Sequence, residues 1–298
     1  MSVDWRGAQV PPFVSQQNLE ALIDAKANIL RYQIVRDAND PVASDPVKWA
    51  AWVRECLDYL DAQVLPICEN KIHIVLDLHT PPGGMTGVIS NLWTDPIAYD
   101  VFNAMWSEIS LRYKGKTEPY VFGILNEPGG SSLQVRRLML DVYKVIREAD
   151  PFRRISITCP YSDPAKWSNV PVLTDNRVWY EFHFYKPLSF THQGIHGQPV
   201  GKTYPTPRNN KEKMIKGLAK ILAWQAAHKK RLYVGEVGVS SYADETSRVR
   251  YLDDFISLCE SYGWNWTYHA WFGEAEVWWP KGKVLDVLTK YWDKNRQV

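Results

Sequence analysis

The sequence predicts a closed (β/α)8 barrel, and three observations carry that expectation. Seven short runs rich in β-branched and aromatic residues alternate with longer stretches of helical period. Nothing between them resembles a linker, and no glycine-rich phosphate turn follows the first strand, as an open doubly wound sheet would usually have. Strand and helix repeated in this way leave few right-handed parallel arrangements other than a barrel. At 298 residues, the chain is the size of one such barrel with its loops, so the expectation is a single domain over residues 1–298.

In order, the strands are expected at 28–34, 72–78, 120–125, 155–158, 178–183, 232–236 and 265–271. A weaker candidate lies at the start, over 3–10, where Arg6 and Gly7 interrupt the apolar pattern. Helices are expected over 17–26, 47–69, 96–113, 132–149, 210–228, 245–262 and 285–294. In the second of these, Trp49, Trp52, Val53, Cys56, Leu57 and Leu60 recur at helical spacing and make one apolar face. The stretch 160–176, with two prolines and a tryptophan, reads as a loop after the fifth strand, on the face where this fold builds its sites.

Composition narrows the class of partner. With 35 Lys+Arg against 33 Asp+Glu and no basic block longer than Lys229, Lys230, Arg231, no nucleic acid partner is expected. No apolar run approaches the length of a membrane helix, so no membrane partner is expected either. Met1 to Arg6 lacks the apolar stretch of a secretory signal, so the chain is expected to work inside the cell or to have lost a leader. The cysteines Cys56, Cys68, Cys159 and Cys259 are too dispersed for a disulfide framework and read as buried thiols. No uncovered apolar stripe stands out, which predicts a monomer. The 14 Trp and 16 Tyr exceed what a core requires, and flat rings with polar edges suit sugars, which have apolar faces and hydroxyl rims.

The ends of the candidate strands are consistently polar. Arg31 lies on the second, Asp77-Leu78-His79 close the third, Asn126-Glu127-Pro128 the fourth, His183-Phe184-Tyr185 the sixth, Gly235-Glu236 the seventh and Trp271 the eighth. Charged side chains gathered at a barrel mouth need partners or a task. Two glutamates on strands three apart face each other across the mouth, where both reach one bond of a ligand, as glycoside hydrolysis requires. Arg31 and the Tyr185 hydroxyl are expected to hold Glu236 ionised, and a more apolar setting to keep the proton on Glu127.

Taken together, from Asn28 to Trp271, these residues resemble glycoside hydrolase family five, the cellulase family. The resemblance implies Glu127, in Asn126-Glu127-Pro128, as acid/base and Glu236, in Gly235-Glu236-Val237-Gly238, as nucleophile of a retaining mechanism that needs no metal or organic cofactor. It implies that Arg31, His79, Asn126, His183 and Tyr185 support the reaction, with Asn126 on the 2-hydroxyl of the sugar. Trp271 would be the stacking floor. The first strand supplies no residue that matches. Thr80-Pro81-Pro82-Gly83-Gly84 and Phe190-Thr191-His192-Gln193-Gly194 resemble members that cut β-1,4 glucans or mannans. The implied substrate is a β-glucan or a related polysaccharide or oligosaccharide, and the implied activity an endo-β-1,4-glucanase.

Other readings remain open at this level. A β-mannanase or an exo-acting β-glucosidase of the same family fits the motifs. So does a carbohydrate-binding barrel without catalysis, although such a protein would not need both carboxylates. Asp77 and His79 with His183 form a set that could ligate zinc. Glu127 admits a simpler role too, as a carboxylate near the positive end of the helix after Ser131. Trp93, Trp167, Trp179, Trp278 and Trp279 are candidate platforms for further sugars, and Glu274 and Glu276 candidate ligands for hydroxyls at the cleft edge.

Overall fold

A computed structural model describes residues 3–271 and 277–295. Eight parallel strands close into a barrel in which each pairs with the next in the chain and the last with the first. They are β1 (Arg6–Val10), β2 (Ile29–Ile34), β3 (His73–Leu78), β4 (Val121–Gly123), β5 (Arg154–Thr158), β6 (Val178–His183), β7 (Arg231–Val237) and β8 (Asn265–Tyr268). Helices α1 (Gln16–Asp24), α2 (Pro46–Tyr59), α3 (Pro96–Arg112), α4 (Ser132–Ala149), α5 (Ala219–His228), α6 (Glu245–Tyr262) and α7 (Lys283–Trp292) pack outside. The crossover from β5 to β6 carries short 3-10 turns, Pro160–Ser162 and Pro164–Asn169, in the stretch expected as a loop. Among the described residues no helix is long and apolar enough to cross a membrane.

The weak first strand is a full member of the barrel, and the two residues that obscure it are the ones that seal it. At Gly7 a Cβ would lie 1.6 Å from the carbonyl oxygen of Ile29, so β1 and β2 approach at a distance only glycine permits. Arg6 leaves the strand to form a two-pronged pair with Glu260 on α6, at 2.7 and 2.8 Å. A helix expected over 47–69 is present but uneven: α2 runs on through a wider turn, Leu60–Val64, into Leu65–Cys68, where Pro66 cannot continue the regular hydrogen-bond ladder. Its apolar face docks Trp49 onto the loop after β3, with the indole nitrogen donating to the Thr80 carbonyl at 2.8 Å.

Side chains alternate between barrel interior and helix layer, and the interior is stratified. Ile29, Val75, Val121, Trp179 and Tyr233 make an apolar floor. One step up each strand stand Arg31, Asp77 and Glu181, all buried. His183 and Glu236, partners in register, occupy the step above, and Glu127 follows the end of β4.

On β7 strict alternation fails, and the failure positions Glu236. Phe182 and His183 of β6 oppose Val234 and Glu236, while Trp266 and Tyr268 of β8 oppose Val234 and Val237, so β7 carries one extra residue relative to both neighbours. This bulge turns Glu236 toward the mouth. Gly235 is the extra residue: a Cβ there would lie 2.1 Å from Glu181 Oε1. Its carbonyl, released from regular pairing, accepts from Gln9 Nε2 and Thr267 Oγ1, each at 2.6 Å.

Candidate active site

Arg31 organises the ionic layer beneath the mouth. Its guanidinium donates to Glu236 Oε1 at 2.7 Å and to Asn126 Oδ1 at 2.9 Å, and lies 3.1 Å from both Asp77 Oδ2 and Glu181 Oε1. Three carboxylates surround one buried cation, a geometry that leaves no freedom to any of them. Asp77 also holds His79 Nδ1 at 2.9 Å, and His79 Nε2 lies 2.9 Å from the Asn126 amide nitrogen. Asn126 is thereby oriented at both ends. Both His79 nitrogens are engaged within this network, so Asp77, His79 and His183 do not converge as a zinc set.

Glu236 receives a second donor from the Tyr185 hydroxyl, 2.8 Å from Oε2. Burial alone would raise the pKa of Glu236, but the surrounding cationic groups, His183 foremost, reverse that effect and hold it well below the usual carboxylate range. Burial and the charges of Glu236 and Glu127 push the Tyr185 hydroxyl well above its ordinary value, so it remains a donor.

Glu127 departs from the expected setting. It is not in an apolar environment: its side chain is 40% exposed, and Oε1 sits 2.7 Å from His183 Nδ1. Neither does it serve the start of α4, which is closed by a capping box between Ser131 and Gln134. The backbone at Glu127 is left-handed, with φ of 35°, a conformation that a glutamate before proline adopts only when its surroundings impose it.

His183 joins the two glutamates. Nδ1 faces Glu127 and, at 3.7 Å, Glu236; Nε2 lies 3.2 Å from Glu181 Oε1. Burial opposes its charge, but Glu236, Glu127 and Glu181 outweigh burial and push its pKa up to about 10. As an imidazolium it would donate from both nitrogens, Nδ1 toward Glu127 and Nε2 toward Glu181. The unfolded side chain titrates near 6.5, so the stabilisation from charged His183 is complete below that pH and is lost as pH rises through about 10. The melting temperature should therefore fall across this window, and His183→Gln should melt with a shallower dependence over the same range. Parallel slopes in thermal melts of the two proteins would remove the charge from His183.

Six expected supporting and catalytic side chains other than Glu236 meet in this network: Arg31, His79, Asn126, Glu127, His183 and Tyr185. Trp271 does not join them. It is 4% exposed, its indole nitrogen donates to the Asn18 carbonyl at 3.0 Å and its ring packs on Trp292, so it belongs to the helix layer and is no stacking floor for a sugar. The chain passes the mouth two residues earlier, at His269, which lines the cavity. Among the expected platforms, Trp278 lines the cavity, whereas Trp167 is core and Trp179 lies in the barrel floor. Glu274 and Glu276 lie outside the described residues.

Sequence reasoning also passed over Glu181, Gln9 and His269. Their signal was strand period: Glu181 precedes His183 by two, Gln9 follows Gly7 by two and His269 follows Thr267 by two. The unmatched first strand thus does contribute to the site, through Gln9.

Two hollows, of about 400 and about 430 Å³, meet at His79, Asn126, Glu127 and Tyr161. One contains Glu236 with Tyr185, His269 and Trp278; the other runs over Arg36, Pro81 and Met85. An oxygen of Glu127 and one of Glu236 lie within 4.8 Å of each other. Such a pair can protonate one side of a bond while attacking the other.

A family profile described as Cellulase (glycosyl hydrolase family 5) matches residues 1–274. The chain belongs to this family. As a member of glycosyl hydrolase family 5 it is a hydrolase of O-glycosyl bonds. Endoglucanase C of Acetivibrio thermocellus is 29% identical over 297 residues, covering 86% of this chain and 84% of that protein. Cellodextrinase A of Ruminococcus flavefaciens is 25% identical over 214 residues, 66% of this chain and 58% of that protein. Among solved structures, Cel5A of Thermotoga maritima in complex with cellobiose superposes with a TM-score of 0.79 at 20% identity, covering 96% of this chain and 97% of that one. At that identity the likeness is one of fold.

Proposed function

We propose that this family 5 hydrolase is a retaining endo-β-1,4-glucanase in which Glu236 is the nucleophile and Glu127 the acid/base. The observation that carries the reading is the pair of carboxylates with oxygens within 4.8 Å, one buried and held ionised, the other open to the cleft. Retaining enzymes place these groups roughly 5 to 5.5 Å apart, inverting ones several ångströms further to admit a water. In the first step Glu236 forms a bond to the anomeric carbon as the bond to the leaving oxygen breaks, and Glu127 gives that oxygen its proton. Esterified, Glu236 loses its charge, so His183 keeps Glu127 and Glu181 as its anionic partners. An ionised Glu127 beside that imidazolium then takes the proton of a water that attacks the anomeric carbon and frees Glu236.

Endo action is supported by the two hollows that meet at Glu127, which leave room for sugar units on both sides of a bond protonated there. The glucan substrate is supported by the relatives named endoglucanase. The solved complex of Thermotoga maritima Cel5A with mannotriose keeps a β-mannan in the comparison. The test is reducing-sugar release and viscosity on carboxymethyl-cellulose, barley β-glucan, glucomannan, mannan, xylan and laminarin, with and without a chelator. NMR of the first product gives its anomeric form. The expected result is a rapid fall in viscosity on the β-1,4 glucans, indifferent to chelator, with β-anomer released first. Release of α-anomer would overturn the retaining mechanism, and activity confined to mannan would reassign the substrate.

A further inference from the structure

The place expected for an aromatic floor is held by His269, and its surroundings define what that imidazole can do. The His269 amide donates to the Val237 carbonyl at 2.8 Å, which ties the residue to β7 directly beside Glu236. Nδ1 lies 2.7 Å from Gln9 Oε1 and 3.9 Å from Glu236 Oε2, so its hydrogen-bond partner is the glutamine.

The orientation of Gln9 follows from its other contacts. Its amide nitrogen faces the carbonyl of the bulge residue Gly235, which can only accept, and its oxygen takes a hydrogen from Gln33 Nε2 at 2.6 Å. Gln9 Oε1 is therefore an acceptor toward His269 as well. The hydrogen of a neutral His269 sits on Nδ1, and the lone pair sits on Nε2. Burial opposes charge more than Glu236 favours it, and the imidazole pKa falls to about 4, which leaves the ring neutral in ordinary buffers. No described residue forms a hydrogen bond with Nε2. Trp278 and Tyr185 stand edge-on to the ring at 5.0 and 6.2 Å, and both line the same cavity.

We infer that His269 Nε2 accepts a hydrogen bond from a hydroxyl of the sugar whose anomeric carbon Glu236 attacks, which makes His269 a specificity-determining residue of the cleaved-side subsite. The inference rests on the assignment of Glu236 above. An indole in this place could stack and donate; an imidazole of this tautomer accepts, so it reads whether a hydroxyl is present and where it points. A site built to pair with a substrate hydroxyl discriminates against its absence far better than an apolar wall does. The Gln33–Gln9–His269 relay fixes the tautomer from the first two strands.

The experiment pairs substitutions at His269 with deletions on the substrate. Wild type, His269→Phe and His269→Gln are assayed on an aryl β-cellobioside and on its series deoxygenated one hydroxyl at a time in the sugar next to the aryl group. For wild type, one deoxygenated substrate should lose about 10- to 100-fold in kcat/KM through this contact. His269→Phe should lose a similar factor on the parent and nothing further on that one analogue. His269→Gln, whose amide oxygen can accept, should recover part of the loss, and it carries the test where the phenylalanine variant does not fold. Losses that multiply at every position, or a His269→Phe protein with wild-type kcat/KM, would overturn the inference while leaving the function standing. Wild type silent on the parent glycoside and on all the glucans would instead overturn the function.

Discussion

Glu236→Ala should lose kcat on the order of 10⁵- to 10⁶-fold, the scale on which removal of a covalent nucleophile acts when it works as one unit with its partners. The fold should survive, because Arg31 keeps Asp77 and Glu181 within 3.1 Å and remains neutralised. The space left by the carboxylate lies beside Tyr185 and Arg31, a donor and a cation that suit a small anion. Azide should enter there, attack the anomeric carbon from the face that Glu236 used and restore part of the turnover of an activated aryl glycoside. One displacement instead of two yields a glycosyl azide of inverted configuration. Kinetics with and without azide, with NMR of the product, check this; unaided activity within about tenfold of wild type would remove the nucleophile from Glu236.

The barrel and the convergence of its polar strand ends were legible because a parallel barrel brings all strand ends to one face, so a list of strand-terminal residues is already a list of neighbours. Glu127, Glu236, Arg31, His79, Asn126, His183 and Tyr185 were found in this way, and their contacts follow from that convergence. What was not legible depended on register. Trp271 and His269 differ by two positions past β8, and only the course of the chain beyond Tyr268 decides which one meets the cavity. Chemical type misled there, since an indole looks more like a sugar platform than an imidazole does. The first strand was obscured for a different reason. Gly7 and Arg6 break the apolar pattern because they answer to a backbone contact with Ile29 and a carboxylate on α6, both remote in sequence. Glu127 shows a third limit: its motif was plain, but its exposure and its imidazolium partner come from β6 and from the open cleft.

That partner shapes the other large effect. Glu127→Gln keeps the shape of the side chain, and its amide oxygen can still accept from His183, so a change in rate reports lost proton transfer more than lost structure. Cleavage of cellooligosaccharides, whose leaving alcohol needs a proton, should fall by about 10²- to 10⁴-fold in kcat/KM. Cleavage of a dinitrophenyl cellobioside, whose leaving group departs unprotonated, should keep nearly wild-type kcat/KM. Its kcat should still fall, because the second step lacks a base for the attacking water and the glycosyl-enzyme accumulates. A burst of dinitrophenolate equal to the enzyme concentration is the expected signature. Azide added to Glu127→Ala, where a small anion can reach the covalent intermediate without a base, should give a product of retained configuration, opposite to the one formed in Glu236→Ala. A loss of equal size on all leaving groups would show that Glu127 only orders the site. The dependence on leaving group ties the proton to the carboxylate that stands 40% exposed between the two hollows, since from there it can meet the departing oxygen in one step and water in the next.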